Sequence, residues 1–209
     1  MKPSTPEENA WRPRFFTVFS SQAVSLVGSS VAGFALVWWL TTTTGSATVL
    51  VTAALATTLP QVLLGPVAGA LVDRWNRRKV MIAADAAVAA LSAWMAYLFW
   101  SGHIQPWHVF TIMAARGLGG AFHYAAMQAS IALMVPDSQL SRVAGLNEGI
   151  RAGMGILSPP LGALLISVSS ISAIMLLDVA TAAAAVGLLA LVAIPQPPPL
   201  ATEEKASQP

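Results

Sequence analysis

Six long apolar stretches run through the chain, at about 15–40, 49–72, 80–100, 107–134, 142–168 and 172–194. A helix needs ~20 apolar residues to cross ~30 Å of hydrocarbon, so each stretch predicts one membrane-crossing helix. The polar punctuation agrees. The run Thr41–Thr44 with Gly45 and Ser46 predicts a turn after the first helix, and 101–106 a turn after the third. Pro136 and Asp137 open the link to the fifth helix, where Ser138 and Ser141 are placed to cap it. The prolines of 195–199 cannot continue the sixth. The predicted organisation is a cytoplasmic N-terminal tail over 1–14, a six-helix transmembrane domain over 15–194, and a disordered Pro-rich cytoplasmic tail over 195–209.

The links alternate between basic and uncharged. Lys2, Arg12 and Arg14 precede the first helix. Arg74, Arg77, Arg78 and Lys79 fall between the second and third, Arg142 between the fourth and fifth, and Lys205 after the sixth. The links at 41–48, 101–106 and 167–170 carry no charge. Cytoplasmic loops hold the Lys/Arg excess, which predicts both termini in the cytoplasm. Trp38, Trp39, Trp100 and Trp107 then fall at the outer boundary, where indole rings prefer the headgroup level.

Composition narrows the function class. Charged residues are 10% of the chain and apolar residues 56%, against ~25% and ~45–50% in soluble domains. Six spans leave no room for a soluble domain. The pI of about 9.4 reflects arginines suited to an anionic inner leaflet and does not imply a nucleic-acid partner. The absence of Cys excludes disulfides and thiolate metal sites. An intramembrane serine protease would need a Gly-x-Ser-Gly nucleophile and a His on another span; neither motif nor sixth-helix His is present. The three His are scattered, so no metal site is expected. Transport is the first class to test, and an inactive truncated fragment or a non-transporting membrane subunit is the alternative.

An internal repeat is legible. Leu64-Gly65-Pro66-Val67-Ala68-Gly69-Ala70-Leu71 in the second helix resembles Leu157-Ser158-Pro159-Pro160-Leu161-Gly162-Ala163-Leu164 in the fifth. Those helices run in opposite directions, as a three-plus-three inverted repeat requires.

The loop after the second helix reads Gly69-x-x-x-Asp73-Arg74-x-Asn76-Arg77-Arg78 and resembles the inner-loop signature of the major facilitator superfamily. Asn76 stands where the family usually has Gly. Arg116 with Gly117, Gly119 and Gly120 resembles the family's second motif. Gly145, Ser158, Pro159, Gly162 and Ala163 partly resemble the fifth-helix motif of drug:proton antiporters, with Met154 and Ser158 departing from its glycines. Stretches such as Gln22–Leu26, Thr44–Ala47, Ala83–Asp85, Gly120–His123 and Leu177–Val179 are similar to the macrolide-efflux branch. The resemblance covers 11–195. It implies an all-α membrane protein of the bacterial inner membrane that forms the N-terminal six-helix half of a twelve-helix exporter. It also implies a small-molecule substrate, protons as the coupling ion, and no cofactor. By resemblance, the inner loop of Gly69, Asp73, Arg74, Arg77 and Arg78 latches the two halves; the other reading of its arginines is topology alone. A second six-helix half, or a homodimer, would complete the path. An even number of spans gives two copies the same orientation, which allows a dimer about an axis along the membrane normal.

Charge inside a bilayer is expensive and calls for a reason. Arg116 lies ~13 Å into the fourth helix, Glu148 ~9 Å and Arg151 ~13 Å into the fifth, and Asp178 about 10 Å into the sixth, all near mid-depth. These four are expected to form one buried polar cluster that couples protonation to helix movement. Glu148 is the candidate proton carrier, since loss of water favours a carboxyl's protonated form. The competing reading is a static ion-pair staple. Gln22, Ser25, Asn147, His123 and Tyr124 are expected to line the pathway or to bond between helices. Asp85 is expected to serve the basic loop. His103 and His108 are expected to be solvated.

Overall fold

The computed structural model describes residues 11–192. Over these residues it consists of six helices: α1 Trp11–Thr44, α2 Ala47–Val72, α3 Arg77–Ser101, α4 Pro106–Met134, α5 Asp137–Val168 and α6 Ile171–Leu191. The expected ends at 1–10 and 193–209, with Lys2, Lys205 and the Pro-rich tail, lie outside the described residues.

Several helices are longer than their apolar cores predict, because polar residues at membrane ends still take helical turns. Arg12 and Arg14 belong to the start of α1, not to a tail. Thr41–Thr44 form its last turn, and the hydroxyls of Thr41, Thr42 and Thr44 donate back to carbonyls one turn earlier. The chain then reverses at Gly45, whose φ of 62° is left-handed and suits glycine. Arg77, Arg78 and Lys79 form the first turn of α3, because Asn76 caps it by accepting from the Lys79 N–H at 3.1 Å. The α5 helix starts at Asp137 behind Pro136, so Ser138 and Ser141 lie inside it and cap nothing. His108 is not merely solvated: its Nδ1 accepts from the Gln105 N–H at 3.0 Å and closes the first turn of α4.

Two apolar clusters show that the helices run up and down. One gathers Phe15, Val72, Met81, Ile131, Val143 and Leu189, which are the start of α1, the end of α2, the start of α3, the end of α4, the start of α5 and the end of α6. The other gathers Leu40, Ala53, Met95, Ile112 and Ile174 from opposite helix ends. Five of the six helices are apolar enough to cross a membrane by length and composition. The sixth, α4, carries Arg116, His123, Tyr124 and Gln128.

The packing has the symmetry that the repeat predicts. Exchanging α1 with α4, α2 with α5 and α3 with α6 turns the α2/α4 contact into α1/α5, α1/α6 into α3/α4, and α1/α2 into α4/α5. The α3/α6 and α1/α4 contacts map onto themselves. Only α5/α6 lacks a substantial counterpart. Two glycines permit the closest approaches. A side chain at Gly117 would run into the Thr57 backbone carbonyl of α2, and one at Gly28 into Thr181 of α6.

Candidate functional site

Between the two apolar clusters lies a polar layer built on α1, α3, α4 and α6. Its centre is Asp178, which is 0% exposed. Asp178 Oδ2 accepts from Arg116 Nη1 at 2.7 Å and from the Ser92 hydroxyl at 2.6 Å, and Oδ1 accepts from the Ser29 hydroxyl at 2.8 Å. Arg116 also donates to Ser92 Oγ at 2.7 Å and to the Ser29 carbonyl at 3.1 Å. Four helices therefore meet on one carboxylate. Buried charges persist when paired and hydrogen-bonded, and both conditions are met here. Gly28 lets α1 approach α6 closely enough for Ser29 to reach Asp178.

A second station lies about two helical turns away. Gln22, Asp85 and His123 each stand seven residues from a member of the first station: Ser29, Ser92 and Arg116. Seven residues are ~10.5 Å of rise and return to nearly the same helix face. Asp85 is 8% exposed and Gln22 7%. Asp85 Oδ2 accepts from Gln22 Nε2 at 3.3 Å. His123 Nε2 lies 2.8 Å from Gln22 Oε1 and 3.3 Å from Asp85 Oδ1. Asp85 thus faces the bundle interior rather than the basic loop.

The expected four-residue cluster divides. Arg116 and Asp178 are joined, but Glu148 and Arg151 lie on the exposed side of α5. The reason is packing: α5 touches mainly α1 and buries only Val143, Met154, Ser158 and Gly162. Glu148 accepts from the Tyr124 hydroxyl at 3.3 Å, which in turn accepts from Gln128 at 3.2 Å. The Arg151 guanidinium sits 4.8 Å above the Tyr124 ring instead of on Glu148. Of the fifth-helix motif, Gly145 faces open space, Pro159 lies within the helix, and Gly162 is pressed against Phe34 of α1.

A cavity of about 310 Å³ opens beside both stations. Gln22, Asn147, His123, Arg116 and Arg151 line it, and so do Thr57 and Gln61 of α2, which hydropathy alone did not single out. Ser29 and Ser92 also escaped the sequence reading; the seven-residue spacing from Gln22 and Asp85 was the signal that could have found them.

At the end holding the α1 start, Arg77 is buried and donates to the Ala129 carbonyl of α4 at 3.0 Å. Arg78 donates to the Ala190 carbonyl near the end of α6. Cations at helix C-termini complement the dipole, so both arginines tie helices within this chain. Asp73 pairs with Arg77 at 3.6 Å, yet its side chain is 70% exposed. Arg74 is exposed, and Gly69 has open space around it.

The sequence profile of the Major Facilitator Superfamily matches residues 18–209. The chain belongs to the major facilitator superfamily. The six helices are one half of that superfamily's fold. It is similar to Macrolide efflux protein A of Streptococcus pyogenes, with 38% identity over 188 residues, covering 90% of this chain and 46% of that protein. It is 37% identical over 138 residues to Macrolide efflux protein A of Enterococcus faecalis, covering 66% of this chain and 43% of that protein. It is 28% identical over 188 residues to Multidrug efflux pump Tap of Mycobacterium tuberculosis, covering 87% of this chain and 44% of that pump. The chain spans about half the length of the relatives it matches.

Proposed function

We propose that this chain supplies one six-helix half of a proton-coupled exporter of amphipathic drugs, macrolide-like by similarity to its relatives. The observation that carries the reading is the mid-depth cavity, with the buried Arg116–Asp178 pair on one side and exposed α5 polar groups on the other. Such a site offers apolar walls with a few polar anchors, which suits a large amphipathic ligand. Intramembrane charge marks substrate or ion pathways more often than not.

A second six-helix body completes the path. The apolar surfaces of α2 and α5 favour this: Val62 and Leu63 on α2, and Ile156 and Leu164 on α5, are all more than half exposed. In superfamily architecture, substrate sits between two halves related by an axis along the membrane normal. A second copy of this chain meets that geometry, and so does a separate second half. In this reading both termini are cytoplasmic, Asp73 and Arg74 latch onto the second body, and Glu148 carries a proton at the open face. Uptake of a labelled macrolide into proteoliposomes under an imposed pH gradient tests it. Accumulation that collapses with a protonophore supports export; uptake equal to that of protein-free vesicles favours a non-transporting subunit.

A further inference from the structure

We infer that the groove between α3 and α4, at the end of the bundle where α3 begins, binds one anionic phospholipid. The groove measures about 680 Å³ and is distinct from the central cavity; only Ala84 and Gly119 line both, and so form the wall between them. Its mouth is basic. Arg74 and Lys79 line it, both are exposed, and neither side chain has an ion-pair partner among the described residues. Arg77 and Arg78, by contrast, are committed to carbonyls of α4 and α6. The groove thus keeps two cations that the bundle itself does not use. Asn76 adds a donor: its Oδ1 caps α3 at the Lys79 N–H, which leaves its amide N–H groups for a ligand. No carboxylate lines the groove, and Asp73 is paired with Arg77. An arginine fork, a lysine ammonium and an amide are a donor set for phosphate oxygens.

Past the mouth the groove is apolar. Trp75 is half exposed and stacks on Phe122 of α4, with ring centroids 6.3 Å apart and planes 15° from parallel. One wall is therefore an indole, a ring that prefers the headgroup level. On α3, Lys79, Ala83, Ala86, Ala87 and Ala90 are exposed and spaced to share one helix face. The helix rises ~16.5 Å from Lys79 to Ala90, about half of the ~30 Å hydrocarbon thickness, or one leaflet. The small side chains leave an acyl chain room beside α4, below a headgroup held at the mouth. Basic pockets between membrane helices are where anionic headgroups bind. A zwitterionic headgroup would bring an ammonium towards two cations, with no carboxylate to receive it. The second body of the proposed function packs on α2 and α5, which leaves this groove to lipid. Arg74 is shared with the proposed latch, so the test rests on Lys79 and Trp75, which the latch does not use.

The test is native mass spectrometry of the full chain in detergent, titrated with phosphatidylglycerol or with phosphatidylcholine of the same acyl chains. One phosphatidylglycerol should be retained at concentrations where phosphatidylcholine is not. Lys79→Gln should weaken that first binding about fivefold, the worth of one basic residue at an anionic lipid surface. Trp75→Ala leaves the charge unchanged and should weaken it about threefold or more through lost apolar contact. Arg142→Gln removes an equal charge from an exposed position at the same end, outside the groove, and should change the binding less than about twofold. Equal retention of the two lipids overturns the site, as does an equal loss in Lys79→Gln and Arg142→Gln. If Trp75→Ala instead abolishes pairing between copies and leaves lipid retention unchanged, the groove is a protein interface and the proposal falls. None of these readouts requires drug movement, so the lipid site and the export reading stand or fall separately.

Discussion

Arg116 and Asp178 stand 2.7 Å apart on α4 and α6, with the Ser29 and Ser92 hydroxyls filling the carboxylate's remaining bonds. Asp178 is fully buried and Arg116 nearly so, which makes this pair a junction of four helices. Losing one partner strands a buried charge, at a cost of about 3–5 kcal/mol, whereas replacing both with apolar residues is far milder. Arg116→Met and Asp178→Leu should each destabilise the chain strongly, and the double variant should recover much of the loss. Unfolding in detergent with increasing denaturant reads the difference. Equal additive losses would mean that the two residues do not act as a pair.

Gly117 sets the distance between α2 and α4. A side chain there meets the Thr57 carbonyl, which is backbone and cannot rotate away. Gly117→Val should cost about 1–3 kcal/mol through overpacking. Gly145→Val, which meets open space, should cost little. Thermal melts of the two variants side by side decide the point; similar melting would contradict the packing account.

The two ends of the inner-loop motif separate in the same way. Arg77 is buried and bonds the Ala129 carbonyl, so Arg77→Ala should lose about 1.5–3 kcal/mol of stability. Asp73 is largely exposed, so Asp73→Asn should leave stability and membrane insertion almost unchanged. If Asp73 latches a second body, that silent variant should still transport poorly. Normal transport by Asp73→Asn would remove the latch.

Glu148 lies on the exposed side of α5 and accepts a bond from Tyr124. Glu148→Gln preserves size and can still accept that bond, so folding should not suffer. Export should lose most of its response to a pH gradient. Unchanged proton-coupled export would end the carrier role of Glu148.

Much of the fold was legible in the sequence. Uninterrupted apolar runs separated by turn residues mark helices strongly, and the opposed Pro66 and Pro159 segments announced an inverted repeat that the helix contacts reproduce. Helix ends were less legible: Arg77–Lys79 and Asp137–Ser141 are polar, and hydropathy cannot tell a polar helical turn from a loop. The site was legible in part. Arg116 and Asp178 stood out as charges at mid-depth, and they meet. Glu148 lies at similar depth, but depth says nothing of azimuth, and α5 leaves it exposed and bonded to Tyr124 instead of to Arg116 or Asp178. The Asp85–His123 contact joins residues far apart in the chain, so only packing could reveal it.

Whether this chain forms half of a proton-coupled drug exporter, as we propose, is decided by transport and pairing read together. Labelled macrolide is followed in proteoliposomes carrying the full chain, with copy number in the same preparation read by native mass spectrometry. Paired copies, or a paired second half where one is supplied, should appear together with drug accumulation that follows the pH gradient. Vesicles in which paired bodies are present and no drug moves would contradict the proposal.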